Sequence, residues 1–384
     1  MRKVAVAGIG HSKFGIRTGT SLRELAFEAV RECFEDAGAT HKDVEAVVTS
    51  VASDDFSFAL QPSAQVTDHI GIAPKPNFRV EGACASGSMA VRTAWMTVAS
   101  GLADVVLAVG VEKMTEVSTP MATEIMGRGG DAQWEYPFGM TFPGYYAMIA
   151  RAHMSMYGTT EEQLAMVAVK NHKYGAMNPL AHMQKEITLE KAMTSRTIAS
   201  PLKLFDCSLI TDGAAAILLA AKEKVKKFTD TPVWFAGLGC GTDVLCMGNK
   251  RDLTTLDAVV AAAGQAYKMA GIQPKDVNVA TVHDCFTIAE LVAYEDLGFC
   301  KKGYGGKMIE ANETYVGGRI PVNVDGGLKS KGHPIGATGV SMVVEITKQL
   351  RGDAGPRQVK GAEIGLAHNV GGSGQVAAIH ILRR

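Results

Sequence analysis

The sequence has no excess of charge of either sign. Its 384 residues include 39 lysines and arginines and 39 aspartates and glutamates. Proteins that bind nucleic acids through a global electrostatic field carry a basic excess, so the balanced charge argues against a nucleic-acid partner. It remains compatible with local sites that bind anions.

Long apolar runs are missing as well. Although 47% of the residues are hydrophobic, no run is long and apolar enough to span a bilayer, and Met1-Arg2-Lys3 leads directly into a strand-like segment at residues 4–7. We therefore expect a cytoplasmic protein without membrane contact. The length suffices for two domains of ordinary size, each with its own apolar core.

The sequence also has no cysteine spacing typical of a disulfide framework or a zinc knuckle. Seven cysteines, an odd number, lie at irregular intervals: Cys33, Cys84, Cys207, Cys240, Cys246, Cys285 and Cys300. This pattern predicts reduced thiols, and we expect no metal site.

Strand-like and helix-like segments alternate in the first part of the chain. Residues 4–9 predict a buried strand, and Ser21 with Glu24 forms a capping-box pattern that begins a helix ending at Gly38. Further strands are predicted at residues 44–50, 78–80 and 105–111. This alternation is typical of an α/β fold with a parallel or mixed sheet covered on both faces.

The pattern changes between residues 115 and 200. This stretch contains the glycine pair Gly129-Gly130, many methionines and aromatic residues, and short helix-like pieces such as residues 160–173. Long irregular insertions in compact domains are usually lids or binding elements, so we predict a loop domain over a functional site; irregular core filling is the alternative.

The second half of the sequence repeats features of the first. Ala37-Gly38 followed by residues 42–45 recurs as Ala270-Gly271 followed by residues 275–278, and the strand-like ends of the two halves also match. We infer two copies of one α/β unit related by a pseudo-twofold axis. The predicted halves are residues 1–225, which include the loop domain, and residues 232–384, joined by a charged linker.

One cysteine lies where a strand-like segment gives way to a helix. Residues 82–89 place Cys84 at the start of a helix-like run. Free N–H groups and the helix dipole favour a thiolate there, and the small residues Gly82, Ala83, Ala85 and Gly87 leave room for a substrate. The alternative is that Cys84 is an inert, buried small residue.

Three segments of the second half carry polar residues after predicted strands. They are His283-Asp284-Cys285-Phe286, the glycine-rich residues 326–339 with His333, and residues 368–374, which follow a strand predicted at residues 364–367. Ligands of open α/β sheets bind at the carboxyl ends of strands, so these segments and Cys84 are expected to converge. Taken singly, a histidine beside glycine or proline is more often a capping or packing residue.

These residue types predict acyl transfer through a thioester. His333 is the best candidate to take the Cys84 proton, because imidazole titrates near neutral pH. Cys285 is then a second acid/base, and His283 with backbone N–H groups around Gly371 is expected to hold an oxyanion. Cys285 as a buried structural thiol is the alternative.

The motifs around Cys84 and at residues 332–339 resemble those of the thiolase superfamily, and the resemblance covers essentially the whole chain. It implies duplicated βαβαβαββ halves in a five-layer αβαβα fold with an inserted loop domain. It further implies a homodimer or homotetramer, ping-pong kinetics, and coenzyme A as substrate and product with no permanently bound cofactor.

The sequence departs from many thiolases near its carboxyl end. They carry a Cys-x-Gly turn where this chain has residues 368–371, so the second cysteine must come from elsewhere. The chain resembles the sterol-carrier-type and archaeal branch, in which the His-Asp-Cys-Phe motif supplies Cys285 and His283. Phe286 and Gly336 are expected to contact the substrate.

The archaeal resemblance also implies a reaction and partners. It implies the reversible formation of acetoacetyl-CoA from two acetyl-CoA for the mevalonate and isoprenoid route, together with a hydroxymethylglutaryl-CoA synthase and a small OB-fold (DUF35-type) protein. Arg196, Lys203, Lys250 and Arg251 lie in segments suited to the coenzyme A phosphates and are not assigned.

Other functions remain open at this stage. They are a longer-chain 3-ketoacyl-CoA thiolase, a decarboxylating β-ketoacyl synthase, a sterol side-chain aldolase, and a non-catalytic scaffold that binds acyl-CoA. Cys285 argues against the synthase, because a second thiol has no role in decarboxylation. Cys84 argues against the aldolase, and the full set of reactive groups argues against the scaffold.

Overall fold

The structure is a computed structural model that describes residues 1–384. Its strands are β1 (Val4–His11), β2 (Ala46–Ser50), β3 (Asn77–Val80), β4 (Val105–Glu112), β5 (Thr197–Ala199), β6 (Leu202–Lys203), β7 (Gly213–Ala221), β8 (Val233–Thr242), β9 (Val279–Thr281), β10 (Ile364–Gly371) and β11 (Val376–Arg383). Its α-helices are α1 (Leu22–Ala37), α2 (Pro62–His69), α3 (Ser86–Ser100), α4 (Thr119–Gly127), α5 (Phe142–Tyr157), α6 (Glu161–Ala176), α7 (Leu189–Met193), α8 (Asp257–Ala270), α9 (Thr287–Asp296), α10 (Gly305–Glu310) and α11 (Ile335–Arg351).

The main sheet shows the predicted duplication directly. Its strand order is β3-β2-β4-β7-β1-β8-β11-β10-β9, and a parallel bridge from Ala280 to Val322 extends it beyond β9. Read outward from the contact between β1 and β8, the order in the first half is β1-β7-β4-β2-β3. In the second half it is β8-β11-β10-β9 followed by Val322, so the two halves have the same topology.

The helices form layers around the two halves of the sheet. Helix α1 packs against β1 and β7, and α8 packs against β8 and β11. Helices α3 and α11 contact each other and strands of both halves, so they form the central layer. The predicted five-layer α/β fold is therefore confirmed.

The predicted ends of the first helix are also confirmed. Ser21 is the N-cap of α1, and its N–H donates to the Glu24 carboxylate over 2.7 Å, as a capping box requires. Gly38 and Gly271 end α1 and α8 with φ angles of 56° and 66°. Both lie in the left-handed region that favours glycine, which explains why the repeated Ala-Gly pairs mark the same point in each half.

One predicted strand is longer than its apolar pattern indicates. The strand predicted at residues 364–367 continues to Gly371, because β10 pairs with β11 along its whole length, from Ile364 with Arg383 to Gly371 with Val376. His368 and Asn369 therefore lie within a buried strand, and the turn begins at Gly372. Because these residues have polar side chains, a hydrophobicity pattern alone does not predict that the strand continues through them.

The inserted segment packs against helices and a turn of the second half. It contains helices α4 to α7; α5 packs on α9, and α6 packs on a π-helical turn at Gly327–Lys331. None of the helices combines the length and the apolar character that crossing a membrane requires.

Candidate active site

The starts of α3 and α11 meet backbone to backbone. A Cβ atom at Gly339 would lie 2.1 Å from the Ser88 nitrogen, and one at Gly87 would lie 2.7 Å from the Gly339 nitrogen. Gly87 therefore permits close helix packing and does not leave room for a substrate, which corrects our interpretation of that residue. The close approach brings together the residues just before the two helices, Cys84 and His333.

Cys84 lies in a single 3-10 turn at Ala83–Ala85, before α3 begins. Ala83 has a φ of 49°, a left-handed conformation that is unfavourable for a residue with a side chain. The turn is held by the Ser86 hydroxyl, which donates to the Ala83 carbonyl over 2.6 Å, and by the Asn369 amide, which donates to the Cys84 carbonyl over 3.0 Å. The second half of the chain thus fixes the backbone of the cysteine.

Three reactive groups converge at this turn. The Cys84 sulfur and one ring nitrogen each of His283 and His333 all lie within 4.8 Å of one another. The two imidazole rings are 5.1 Å apart and nearly perpendicular, at 78°. The structure therefore brings together three residues that the sequence predicts for one site.

Hydrogen bonds determine which nitrogen of His333 carries its proton. The Thr338 hydroxyl has one hydrogen, which it donates to the Pro334 carbonyl over 2.9 Å. Toward His333 Nδ1, 2.7 Å away, the same oxygen must accept, so Nδ1 is protonated and Nε2 carries a lone pair. Burial lowers the pKa of His333 to about 3, so the ring is neutral at pH 7. A neutral ring with a free Nε2 is a proton acceptor.

His283 has the opposite tautomer. The Asn369 Nδ2 group donates one hydrogen to the Cys84 carbonyl and the other to His283 Nδ1, 3.0 Å away. His283 Nδ1 is thus an acceptor, and Nε2 carries the hydrogen. That Nε2 is buried without a hydrogen-bond partner in the protein, and burial lowers the pKa of the ring. A free N–H donor suits an oxyanion and cannot ligate a metal in this tautomer.

Burial decides the resting state of Cys84. It raises the pKa of the Cys84 thiol to about 12, although the Gly372 N–H faces the sulfur and acts in the opposite direction. The expected effect of the helix start, which favours a thiolate, is therefore outweighed by desolvation of the sulfur. The thiol needs a base, and His333 is beside it.

The backbone donor near the sulfur is one residue beyond the predicted position. Gly371 pairs with Val376 in the sheet, whereas Gly372 faces the Cys84 sulfur and lines the adjacent cavity. The oxyanion position expected at Gly371 is thus corrected to Gly372. The shift follows from the extra length of β10.

Cys285 lies in the wall of the same cavity and is buried. Its carbonyl accepts from the Ser208 N–H over 2.9 Å, and burial raises the pKa of its thiol. Tyr146 of α5 contacts this cysteine; its hydroxyl donates to the Gly372 carbonyl over 3.1 Å and its ring stacks on Phe286 at 4.6 Å. Sequence reasoning missed Tyr146, because no motif surrounds it and only the packing of α5 on α9 brings it here.

Comparison with known families agrees with this geometry. Residues 4–223 match the family model for the thiolase N-terminal domain, and residues 239–384 match the thiolase C-terminal domain-like model. The chain belongs to the thiolase family. The expected acyltransferase class and the superfamily resemblance are thereby confirmed.

Individual relatives show which thiolases this one is similar to. It is 47% identical to an acetyl-CoA acetyltransferase of Methanothermobacter thermautotrophicus over 100% of both chains. It is 36% identical to sterol carrier protein 2 of Bos taurus, over 97% of this chain and 71% of the relative. Among solved structures, the Ltp2-ChsH2(DUF35) aldolase superposes with a TM-score of 0.86 at 30% identity, covering 99% of this thiolase and 97% of the other chain.

A cavity of about 500 Å³ opens onto the reactive groups of the thiolase. Both halves and the insertion contribute to its wall, which includes Cys84, Cys285, Phe286 and His333. Gly336 lies outside the wall: its N–H donates to the Glu112 carboxylate over 2.8 Å, and a Cβ there would lie 2.6 Å from the Val111 carbonyl oxygen. Its expected substrate contact is corrected to a packing role.

Glu112 is a second residue that sequence reasoning missed. Burial raises the pKa of its carboxyl to about 7, and the carboxylate accepts from the Ala52 N–H over 2.8 Å as well as from Gly336. It thereby ties the start of α11, and with it His333, to the first half. An apolar strand that ends in a glutamate is the sequence signal.

Of the four unassigned basic residues, Arg196 alone lines the cavity. Lys203 pairs with Glu161, Lys250 pairs with Asp243 at 2.6 Å, and Arg251 pairs with Asp257 at 2.7 Å. These three cations have acidic partners, whereas Arg196 is exposed and has none. Arg196 is therefore the best placed of the four for an anionic group of a substrate.

Proposed function

We propose that this thiolase is an acetyl-CoA C-acetyltransferase. It reversibly condenses two acetyl-CoA into acetoacetyl-CoA and free coenzyme A through an acyl thioester on Cys84. The convergence of the Cys84 sulfur with His283 and His333 within 4.8 Å carries the proposal. The name of the relative at 47% identity supports the choice of the acetyl group.

In the first half-reaction, His333 Nε2 takes the Cys84 proton and the sulfur attacks the thioester carbonyl. The oxyanion that forms is held by the N–H of Gly372 and by His283 Nε2–H. As the carbonyl re-forms, the bond to the coenzyme A sulfur breaks, and that sulfur takes the proton of Cys285. The products are acetyl-Cys84, free coenzyme A, protonated His333 and a Cys285 thiolate.

In the second half-reaction, the Cys285 thiolate removes a proton from the methyl group of a new acetyl-CoA. The resulting carbanion attacks the acetyl carbonyl on Cys84, a carbon–carbon bond forms, and the Cys84 sulfur leaves. It regains its proton from His333, so all groups return to their initial state. Side chains of this protein carry every proton, and coenzyme A is required only as substrate and product.

A longer-chain 3-ketoacyl-CoA thiolase is the second candidate. An apolar cluster that includes Phe56, Met114 and Ile335 packs around Cys84 and lines the cavity. Such a wall suits the alkyl chain of a longer acyl group as well as an acetyl methyl. A non-catalytic scaffold is less well supported, since it requires neither the paired tautomers nor a second cysteine.

Peptide mapping after incubation with acetyl-CoA tests the proposal. Acetylation is expected on Cys84 and not on Cys207, which lines the same cavity and serves as the internal control. Absence of the Cys84 adduct would exclude the covalent route and favour a scaffold. Steady-state rates with acetyl-CoA, acetoacetyl-CoA and longer 3-ketoacyl-CoA thioesters then decide between the two candidate enzymes.

The cellular setting is a further part of the proposal, and it follows from the resemblance of the sequence to the archaeal branch. We place the enzyme in the cytoplasm as a homodimer or homotetramer that supplies acetoacetyl-CoA to a hydroxymethylglutaryl-CoA synthase on the mevalonate route. A small OB-fold protein of the DUF35 type is the proposed adaptor, supported by the similar aldolase that is described with the DUF35 chain ChsH2. Sedimentation of the protein with and without these partners tests the assembly; absence of any complex would contradict it.

A further inference from the structure

Lys329 differs from the other buried lysines of this protein. Its side chain is 1% exposed, and its Nζ has no hydrogen-bond partner. Lys113 pairs with Asp212 at 2.6 Å, Lys170 pairs with Glu290, and Lys331 pairs with Asp325. Lys329 thus bears the desolvation cost of a buried amine without the bond that usually offsets it. Such an exception requires an explanation.

The fold holds Lys329 in place through its backbone. It lies in the π-helical turn at Gly327–Lys331. The N–H groups of Leu328 and Lys329 donate to the Asp284 carboxylate over 2.7 and 3.3 Å. Asp284 directly precedes Cys285, so the same short segment fixes both the turn and the second cysteine.

The groups that interact electrostatically with the Lys329 amine come from three other parts of the chain. They are Asp206, Cys207, Asp284, Cys285 and, from α6, His172. Both carboxylates have other donors: Asp206 accepts from the Thr287 hydroxyl over 2.7 Å, and Asp284 accepts from the Asn171 amide over 2.8 Å. Lys329 is the cation among the largest influences on the pKa of both thiols, and Cys285 additionally interacts with Cys84 and Tyr146.

We propose that Lys329 is a positioning residue whose ammonium group stabilises the thiolate of Cys285 in the acetyl-enzyme. The inference rests on the proposed function, in which Cys285 gives its proton to the departing coenzyme A sulfur. The negative charge left on Cys285 then lies in a buried site, where a nearby cation is far more effective than in water. The charge disappears when Cys285 takes the methyl proton of the second acetyl-CoA.

The substitution Lys329→Met tests this role, because methionine keeps the length and removes the charge. The primary readout is the pH dependence of Cys285 alkylation by iodoacetamide, followed peptide by peptide in a Cys84→Ala background. We expect the apparent pKa of Cys285 to rise by about one to two pH units, which lowers its alkylation rate about 10- to 100-fold at a fixed pH. Alkylation of Cys240, which is not among the groups that interact with Lys329, is the internal control and is expected to be unchanged.

Thermal stability provides a second readout, and it is expected to rise while the activity falls. Removing an unpartnered buried amine is expected to raise the melting temperature, while condensation slows and acetylation of Cys84 persists. Lys227→Met, at an exposed pair with Asp43, is the matched control and should alter neither the alkylation profile nor condensation. Lys329→Gln provides a second neutral variant if the methionine variant does not fold.

An unchanged Cys285 alkylation profile in both neutral variants would overturn the inference. The proposed function fails by a different result, namely the absence of an acetyl adduct on Cys84 after incubation with acetyl-CoA. Because alkylation is measured without turnover, the two failures are distinguishable.

Discussion

In the proposed mechanism, the two halves of the chain use the same turn to hold the donor and the acceptor of one proton transfer. Cys84 lies two residues before α3, and His333 lies two residues before α11, the corresponding helix of the second half. One copy carries the thiol and the other carries its base. Because the pseudo-twofold axis brings the starts of these helices together, duplication itself places the proposed acid and base within 4.8 Å of each other.

The halves differ at the ends of their other strands. In the second half, the segments after β9 and at the end of β10 carry His283, Cys285 and Asn369. In the first half, the ends of β2 and β4 anchor the partner helix: the Ser50 hydroxyl donates to the Gly336 carbonyl over 2.6 Å, and Glu112 accepts from the Gly336 N–H. At these strand ends the first half holds the partner helix, and the second half carries most of the candidate reactive residues.

Replacing the two equivalent turn residues is the strongest test of this comparison. Cys84→Ala is expected to lower both condensation and thiolysis by more than about 10⁴-fold, since the covalent route is lost. His333→Asn should retain the nucleophile and slow Cys84 acetylation by about 10²- to 10⁴-fold. Rapid quench with labelled acetyl-CoA measures both; substantial turnover without Cys84 would refute the assignment.

Cys285→Ser separates the two half-reactions. We expect acetylation of Cys84 to remain measurable while condensation slows by about 10²- to 10⁴-fold, because only the later proton removal requires a thiolate. Burst kinetics with acetyl-CoA provide the measurement. If overall turnover is unchanged, another group removes the methyl proton, and His368, whose Nδ1 accepts from the His283 N–H over 3.3 Å, is the next to examine.

Gly339→Ala tests whether close contact of the two central helices is required. The added methyl would lie 2.1 Å from the Ser88 nitrogen, so the helix starts must separate. We expect a loss of about 1–3 kcal/mol in the free energy of unfolding together with slower Cys84 acetylation. Gly264→Ala in α8 is the control, since nothing lies within 4 Å there and alanine favours a helix. Equal behaviour of the two variants would contradict the model of close contact.

The substitution His380→Ile makes β11 resemble β7, the corresponding strand of the first half. In the sheet, His380 pairs with Ala367 as Ile217 pairs with Ala108. Burial lowers the pKa of His380 to about 3, and neither ring nitrogen has a partner. Between pH 6.5 and 3, the unfolded chain therefore binds a proton at His380 that the folded chain does not bind. The contribution of neutral His380 to the free energy of unfolding is intact above pH 6.5 and declines as the pH falls below it.

Denaturant unfolding at pH 7.5 and pH 5.0 measures this effect. The difference in the free energy of unfolding between the variant and the parent should change by about 2 kcal/mol in favour of the variant at pH 5.0. If the difference in the free energy of unfolding is the same at both pH values, folding does not lower the pKa of His380, and the expectation is wrong.

The sequence predicted which residues line the site better than it predicted their protonation and exact positions. Alternating strand and helix patterns, the repeated Ala-Gly pairs and the cavity positions of Cys84, Cys285, Phe286 and His333 all appear in the structure. The predicted end of β10 was too early, because strand pairing with β11 continues through polar residues. The predicted position of the backbone donor was therefore one residue too early as well. Tyr146 and Glu112 were missed, since each acts on a residue more than one hundred positions away.

The sequence by itself determined the α/β class and the duplication and indicated the candidate reactive residues, because these depend on local periodicity and residue chemistry. Only the tertiary structure decided the protonation of those residues. Asn369 reaches the carbonyl of Cys84 from 285 positions away and sets the His283 tautomer, while burial keeps the Cys84 thiol protonated. Hydrogen-bond partners and desolvation arise from packing between the two halves, which no local pattern encodes.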